Sequence, residues 1–353
     1  MPTKTKRKNQ KQLRLKLKLN KLGGNTLNRK FSNTLILLLV LVGIVLLVGG
    51  FNSEQFFRAK NIQTMAFQLP ELGILSLAMM ITMLTAGINL SIIASANLTS
   101  IVIALTLTHF MGPDMSEGGS VGIVILAIGA GLLVSMVIGL LNGYLIAYLE
   151  VSPILATLGT MIFLKGVSIV LTKGYVISGF PPLILFMGNG EVWGIPMPMI
   201  IFILGAFFMA ILLAYTRLGV NIYMLGSNPT ACHFSGVNNK KVLLQTYLIS
   251  GLYAGIAAIV MMSRFNSAKA DYGESYLLMT VLAVVLGGTS AMGGFGKVSG
   301  LVISLVILQV VSNGLNLLRV NNFLTIAIWG IILILVMVAN YFSKLYQLKK
   351  WKA

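Results

Sequence analysis

A single cysteine, Cys232, excludes an intramolecular disulfide and any cysteine-built zinc cluster. Two histidines, His109 and His233, are too few and too far apart in sequence to suggest a metal site, so no metal is expected. Charge is scarce too. Only 10% of the 353 residues are charged, whereas a water-soluble globular chain carries roughly 25%. Asp, Glu, His and Cys nowhere cluster into a constellation that could do covalent chemistry, so an enzyme is disfavoured and no catalytic residue is assigned. A phosphate-binding loop is missing as well. Its nearest lookalike, Gly296-Lys297-Val298, has Ala291 where the first glycine belongs and a valine in place of the metal-binding hydroxyl.

What is abundant is apolar surface, at 57% of the chain. Apolar runs cover about 33 to 51, 70 to 86, 89 to 111, 121 to 149, 153 to 172, 197 to 215, 243 to 263, 277 to 290, 298 to 318 and 323 to 342. They are apolar all round instead of alternating, which excludes a β-barrel and predicts an all-α polytopic membrane protein of about ten spans. The fourth run exceeds what a straight span needs and is expected to tilt or to extend past the bilayer.

The net charge of +18 is concentrated, with eleven of the 26 basic residues in the first 30 positions. No long apolar run or small-residue cleavage site precedes Phe31, so this segment does not read as a secretory signal. A basic tail beside a span points to the positive-inside rule and anionic lipid headgroups, and away from nucleic acid. The domain reading is a basic cytoplasmic tail 1–30, a transmembrane domain 31–343 with a cytoplasmic loop at about 217–242, and a basic cytoplasmic tail 344–353. With both termini inside, 19 basic residues fall on the cytoplasmic side and six outside, leaving Lys165 within the fifth run. Seven of the eight acids, including Glu71, Asp271 and Glu274, then fall outside or at the outer edge, and only Glu150 inside. Lys165 and His109 are the clear ionisable groups within apolar runs, with His109 near an outer helix end. Such a chain has little with which to build a proton relay, so its energy is expected from another polypeptide.

Between Arg217 and Val242 lies the longest inner-side stretch outside the membrane. Asn228 can cap a short helix with Pro229 at its first position, and Gly236 can end it. Such a helix suits either a connector or a receiver of force from a soluble partner.

This loop resembles the cytoplasmic segment of the ribose-type permeases of binding-protein-dependent ABC importers. The resemblance extends over most of the chain from the second run onward. It is carried by Gly87-Ile88-Asn89-Leu90-Ser91, Leu141-Asn142-Gly143-Tyr144-Leu145, Ala156-Thr157-Leu158-Gly159-Thr160-Met161 with Lys165-Gly166, and Ser250-Gly251 through Ser263-Arg264. Val284 through Gly296 and Asn313-Gly314-Leu315-Asn316 complete it. The resemblance implies a bacterial inner-membrane permease of ten helices that pairs with a second permease chain, identical or related. Its partners would be ATP-binding cassette subunits, which bind the ATP, and an extracytoplasmic sugar-binding protein. Asn228, Pro229, Thr230, Ala231, Cys232, His233, Phe234, Ser235, Gly236 and Val237 would form the coupling helix. The chain itself would bind no cofactor and import a monosaccharide or a related small polyhydroxylated solute by alternating access. A nucleoside is the alternative cargo, and a stand-alone secondary transporter the rival mechanism. Two departures remove acid from the family's pattern: Asn89 stands where aspartate is common, and Leu277-Leu278-Met279 where Glu-Leu-Asp is common.

Polar residues within runs have two readings each. Asn89 and Ser91 either line the pathway or satisfy backbone groups freed at a helix start. Asn142 either faces the pathway or ties helices together, helped by Gly139-x3-Gly143, and Gly251-x3-Gly255 likewise reads as helix packing. Thr157 and Thr160 either meet solute or bond back to their own helix. Asn313 and Asn316 share a helical face and form a polar stripe suited to sugar hydroxyls. The glycines between Gly287 and Gly296 read as a turn, with no strand before them to make a phosphate cradle.

Overall fold

A computed structural model describes residues 35, 37–46, 49–50, 53–111 and 117–352. The basic tail 1–30 lies outside the described residues, as do the side chains of 344–353. Fourteen helices are described: α1 (Leu37–Leu46), α2 (Ser53–Phe56), α3 (Ala59–Leu84), α4 (Ile92–Phe110), α5 (Glu117–Ala147), α6 (Pro153–Thr172), α7 (Pro182–Asn189), α8 (Met197–Tyr215), α9 (Arg217–Ser227), α10 (Pro229–Phe234), α11 (Asn239–Phe265), α12 (Tyr276–Leu286), α13 (Val298–Leu317) and α14 (Asn322–Lys352). Four strands of two residues each complete the described structure. β1 (Ile177–Ser178) pairs antiparallel with β4 (Ser267–Ala268), and β2 (Glu191–Val192) with β3 (Ile195–Pro196).

Among the described residues seven helices are long and apolar enough to cross a membrane: α3, α4, α5 from Val121, α6, α8, α11 and α13. Three shorter apolar helical stretches, Leu37–Leu46, Tyr276–Leu286 and Phe323–Val338, fall on the remaining runs. Helix is what these sequences must form in hydrocarbon, where each backbone donor and acceptor has to be satisfied within its own segment.

The core is built on α3. Every residue from Leu69 to Leu84 is buried, and α11, α8, α12 and α13 pack around it. Helix α11 crosses to α5, α4 and α7 as well, so α3 and α11 form the central pair. Contact between α5 and α11 is backbone to backbone, and glycine is its cause. A Cβ on Gly139 would lie 3.2 Å from the Cα atoms of Gly251 and Leu248 and would collide with the Tyr247 carbonyl, while one on Gly255 would strike Ser135 Oγ. The two Gly-x3-Gly pairs of the sequence thus face each other across one antiparallel seam. Outward faces of α5, α6 and α8 present large apolar side chains such as Leu133, Val137, Ile162, Phe163, Phe207 and Phe208, a surface suited to lipid and not to water.

One boundary expectation is corrected. The second run was expected from about residue 70, with Glu71 at an outer edge. Helix α3 instead begins at Ala59, placing Glu71 in mid-helix and fully buried. The polar residues Asn61, Gln63, Thr64 and Gln68 dilute the apolar signal of the first two turns but do not stop the helix, because they too find partners.

Candidate permeation and coupling sites

Helix α3 stops at Leu84, and the chain turns back into α4 through Thr85–Ser91. Ala86 sits at φ 62°. Gly87 leaves room for the Tyr247 hydroxyl, which a Cβ there would meet at 2.5 Å. The turn delivers Asn89 and Ser91 into a chain of buried hydrogen bonds. Asn89 Nδ2 donates to Ser250 Oγ (3.0 Å), and Ser250 Oγ donates on to the Ala78 carbonyl (2.9 Å). Asn89 Oδ1 accepts from the Ser91 backbone N–H (3.1 Å) and from Ser91 Oγ (2.8 Å). Asn142 Nδ2 of α5 donates to Ser91 Oγ (2.8 Å), and Thr160 Oγ1 of α6 donates to Asn142 Oδ1 (2.8 Å) and to its own Ala156 carbonyl (2.8 Å). Thr157 Oγ1 donates to the Ile88 carbonyl (3.0 Å) and back to Pro153 O (2.7 Å).

Five of the residues singled out in the sequence therefore meet, from the α3–α4 turn, α5 and α6, with Ser250 of α11 as a sixth. None is more than 6% exposed, so in this conformation they bond protein, tying five helices together where an unpaired amide would be costly. Ser250 stands in a quoted family motif, but its link to Asn89 is set by the crossing of α3 and α11 and has no local signal.

The other pair divides. Asn313 is buried and forms a reciprocal amide pair with Asn61, at 2.8 and 3.1 Å, while Asn316 is exposed. Along the same α3–α13 seam Gln309 Nε2 donates to Gln68 Oε1 at 3.1 Å. Asn61 and Gln68 were missed, although their spacing of seven with Glu71 three further on is a helical-face pattern legible in the sequence.

Glu71 has its partner across the central pair. Arg264 Nη1 lies 3.0 Å from Glu71 Oε1, and Tyr276 Oη donates to Oε2 at 3.1 Å. A carboxylate fully withdrawn from solvent is held by a guanidinium that is itself largely covered, linking α3, α11 and α12. Breaking such a pair is expensive because one charge would stay behind unpaired.

At the end of the molecule that carries Leu84, helices α9 and α10 form the predicted loop. Thr216 caps α9, its side chain accepting from Gly219 N at 3.1 Å. Asn228 Oδ1 accepts from Ala231 N at 3.0 Å, Pro229 takes the first position of α10, and Gly236 ends it at φ 80°. Cys232 is buried on the inner face of α10, and burial pushes its thiol up from the usual thiol range. Pro229, Thr230, Ala231, His233, Ser235 and Gly236 are exposed, Val237 is half-buried, and the Phe234 ring is 85% exposed.

Behind this exposed surface α9 is clamped to the membrane helices. Gly226 lies so close to the Leu84 carbonyl that no side chain fits, and Gly294 N donates to that same carbonyl at 2.9 Å. Tyr223 Oη donates to Gly296 O at 2.9 Å, and burial raises its phenol above its ordinary range. The glycines after α12 thus form a docking turn, with Gly288, Gly293 and Gly294 all at positive φ. Helix α10 packs on α9, and α9 on the end of α3 and the glycine turn after α12.

Among the described residues no group of three His, Cys, Asp or Glu side chains could hold a metal ion. No solved structure matches the chain. The family model described as branched-chain amino acid transport system / permease component matches residues 61–338. The ribose import permease protein RbsC of Escherichia coli strain K12 is 34% identical over 313 residues, covering 87% of this chain and 92% of that protein. The Bacillus subtilis strain 168 protein of the same name is 32% identical over 294 residues, covering 83% and 88%. The autoinducer 2 import system permease protein LsrD of Escherichia coli O9:H4 is 32% identical over 276 residues, covering 71% and 84%. A family match across nearly all the described helices, with relatives matched over more than four fifths of their own length, makes the chain a member of the branched-chain amino acid transport system / permease component family, of the ribose type found in ABC importers.

Proposed function

We propose that this chain is the membrane-spanning subunit of an ATP-driven, binding-protein-dependent importer for a monosaccharide or a related small polyhydroxylated solute. The observation that carries the reading is its similarity, over most of its length, to permeases named for ribose and autoinducer 2 import. All ten apolar runs act as membrane segments, α12 as a partial one, with both termini and α10 on the cytoplasmic side of the bacterial inner membrane. The basic residues, concentrated in the two tails and around α9 and α10, favour that orientation. A second permease chain completes the pathway, and a soluble sugar-binding protein delivers solute from outside.

ATP is bound and hydrolysed on partner subunits that seat α10, from Asn228 to Val237, with the Phe234 ring as the anchor. Energy enters because the partner binds α10 differently in its nucleotide states, which shifts the balance between pathway conformations. Movement passes from α9 through Gly226 and Gly294 to the ends of α3 and α12. Asn89, Ser91, Asn142, Thr157 and Thr160 hold the helices that part, and Asn313 and Asn316 offer amides to solute once the α3–α13 seam opens.

Purification in mild detergent followed by mass spectrometry tests this. An ATP-binding subunit is expected with the wild type and lost in Phe234→Asp, an exposed change that leaves the membrane helices folded. If none co-purifies and the chain in vesicles still accumulates solute without ATP, it is a secondary transporter and the proposal fails.

A further inference from the structure

Helix α12 has 11 residues, about 16 Å of helix, and reaches only about half way across a hydrocarbon layer. Its lower end is fixed beside Leu84 by the glycine turn. The missing half is the stretch Asn266–Ser275, which carries no helix. At Asn266, with φ 47°, the chain leaves α11 and doubles back. It pairs as β4 with β1, then descends along α4, where Asn97 Nδ2 donates to the carbonyls of Ala270 (3.0 Å) and Tyr272 (2.9 Å). Asn97 lies 13 residues before the end of α4, so these carbonyls sit about 20 Å along that helix from its outer end. Asp271 and Glu274 are expected outside from the sequence, and Lys269 lies in the same stretch between two apolar runs. The fold sets them alongside α4 and α6, between the ends of two helices long and apolar enough to cross a membrane.

Opposite them stands Lys165 of α6. Its neighbour Leu164 packs in one cluster with Ala94 and Leu98, which sets Lys165 at the level of Asn97. The Lys165 ammonium pairs with the Glu274 carboxylate, and Lys269 pairs with Asp271 at 3.0 Å. These four charged side chains are 37 to 56% exposed, whereas Ser267, Ala268 and Ala270 on the other side of the segment are buried. Irregular backbone at membrane depth survives only where protein buries it or water reaches it, and charges at that depth face water or a partner. The buried side meets the first condition, and the charged side calls for water.

We infer that Lys165, Lys269, Asp271 and Glu274 line a water-filled vestibule that enters the membrane from the end opposite α10 and is floored by the N-terminus of α12. Two cations against two anions leave its wall without net charge, so it holds no ion selectively. The Lys165 ammonium donates and the Glu274 carboxylate accepts, a combination that engages the hydroxyls of an uncharged polyol in transit. This solute assignment rests on the importer reading. The aqueous lining does not.

Single cysteines at Lys165, Asp271 and Glu274, placed in a Cys232→Ser background, are exposed in intact cells to the membrane-impermeant methanethiosulfonates MTSES and MTSET. Tyr175→Cys in an outer loop and Phe208→Cys on the lipid face of α8 serve as references. All three sites are expected to react within about tenfold of Tyr175→Cys, and Phe208→Cys about 100-fold slower, because only a thiolate in contact with water reacts. Three sites as slow as Phe208→Cys overturn the vestibule in favour of lipid or a dry contact with a second copy. With Cys232 retained, D-ribose uptake is expected to fall about tenfold in Lys165→Glu and to recover within about threefold in Lys165→Glu/Glu274→Lys, because the swap restores the pair. Failure to recover in a correctly inserted protein overturns the solute contact. Reactive cysteines in the three variants, together with a wild type that takes up no D-ribose, leave the vestibule standing and defeat the ribose reading alone.

Discussion

Replacing Gly139 by alanine adds one methyl at the tightest point of the α5–α11 seam. The new Cβ would sit 3.2 Å from two Cα atoms of α11 and closer still to the Tyr247 carbonyl. A helical carbonyl cannot swing away as a side chain can, so the helices must separate by about 1 Å, enough to forfeit up to roughly half of each affected contact. Overpacking of this kind costs about 1 to 3 kcal/mol. Gly129 provides the control on the same helix, because a Cβ there has nothing within 4 Å. Alanine brings both sites the same gain in helix propensity, about 1 kcal/mol, so their difference isolates the seam. Gly139→Ala is expected to lose about 1 kcal/mol net and to lower the apparent unfolding midpoint by roughly 1 to 2 °C. Gly129→Ala is expected to hold or raise it. Intrinsic fluorescence on heating in one detergent at one scan rate reads both, the fixed rate mattering because such unfolding is kinetic. Equal shifts in the two variants would refute the claim that backbone contact holds this seam.

The buried hydrogen-bond chain ranks its own substitutions. Asn89→Leu strips the Ser91 N–H and hydroxyl of their acceptor and is expected to cost about 2 to 3 kcal/mol, whereas in Asn142→Leu both Ser91 and Thr160 keep another acceptor and about 1 kcal/mol is lost; detergent thermal melts in which Asn142→Leu proves the worse would contradict this order. Arg264→Met leaves Glu71 unpaired and should cost about 3 to 5 kcal/mol, with Glu71→Leu/Arg264→Met regaining most of it; a double variant no better than Arg264→Met would show that the charges do not interact. The raised, buried thiol of Cys232 should react with a maleimide at pH 7 roughly tenfold or more slowly than Ser235→Cys in a Cys232→Ser background, and accelerate as pH climbs beyond the usual thiol range. Equal rates in a gel-shift time course would mean that α10 does not shield its inner face.

Some of this was decided along the chain. Apolar runs of span length must become helices in lipid, because no other local structure satisfies their backbone there. Asn228, Pro229 and Gly236 bound α10 through hydrogen bonds and φ values that a few neighbouring residues settle among themselves. Gly139-x3-Gly143 and Gly251-x3-Gly255 announced close packing without saying that they pack on each other. What only the tertiary structure decided concerns partners distant in sequence. Asn89 and Asn142 became links in one chain once α3, α5, α6 and α11 crossed. Glu71 looked like an edge residue because polar neighbours hid the start of α3, and its mid-helix position is tolerable only because Arg264 and Tyr276 arrive from elsewhere. Asn266–Ser275 has the composition of an outer loop, and Asn97 draws it inward. A buried charge or a descending backbone is stable only with its partner in place, and nothing in the local sequence names a partner that the crossing of helices supplies.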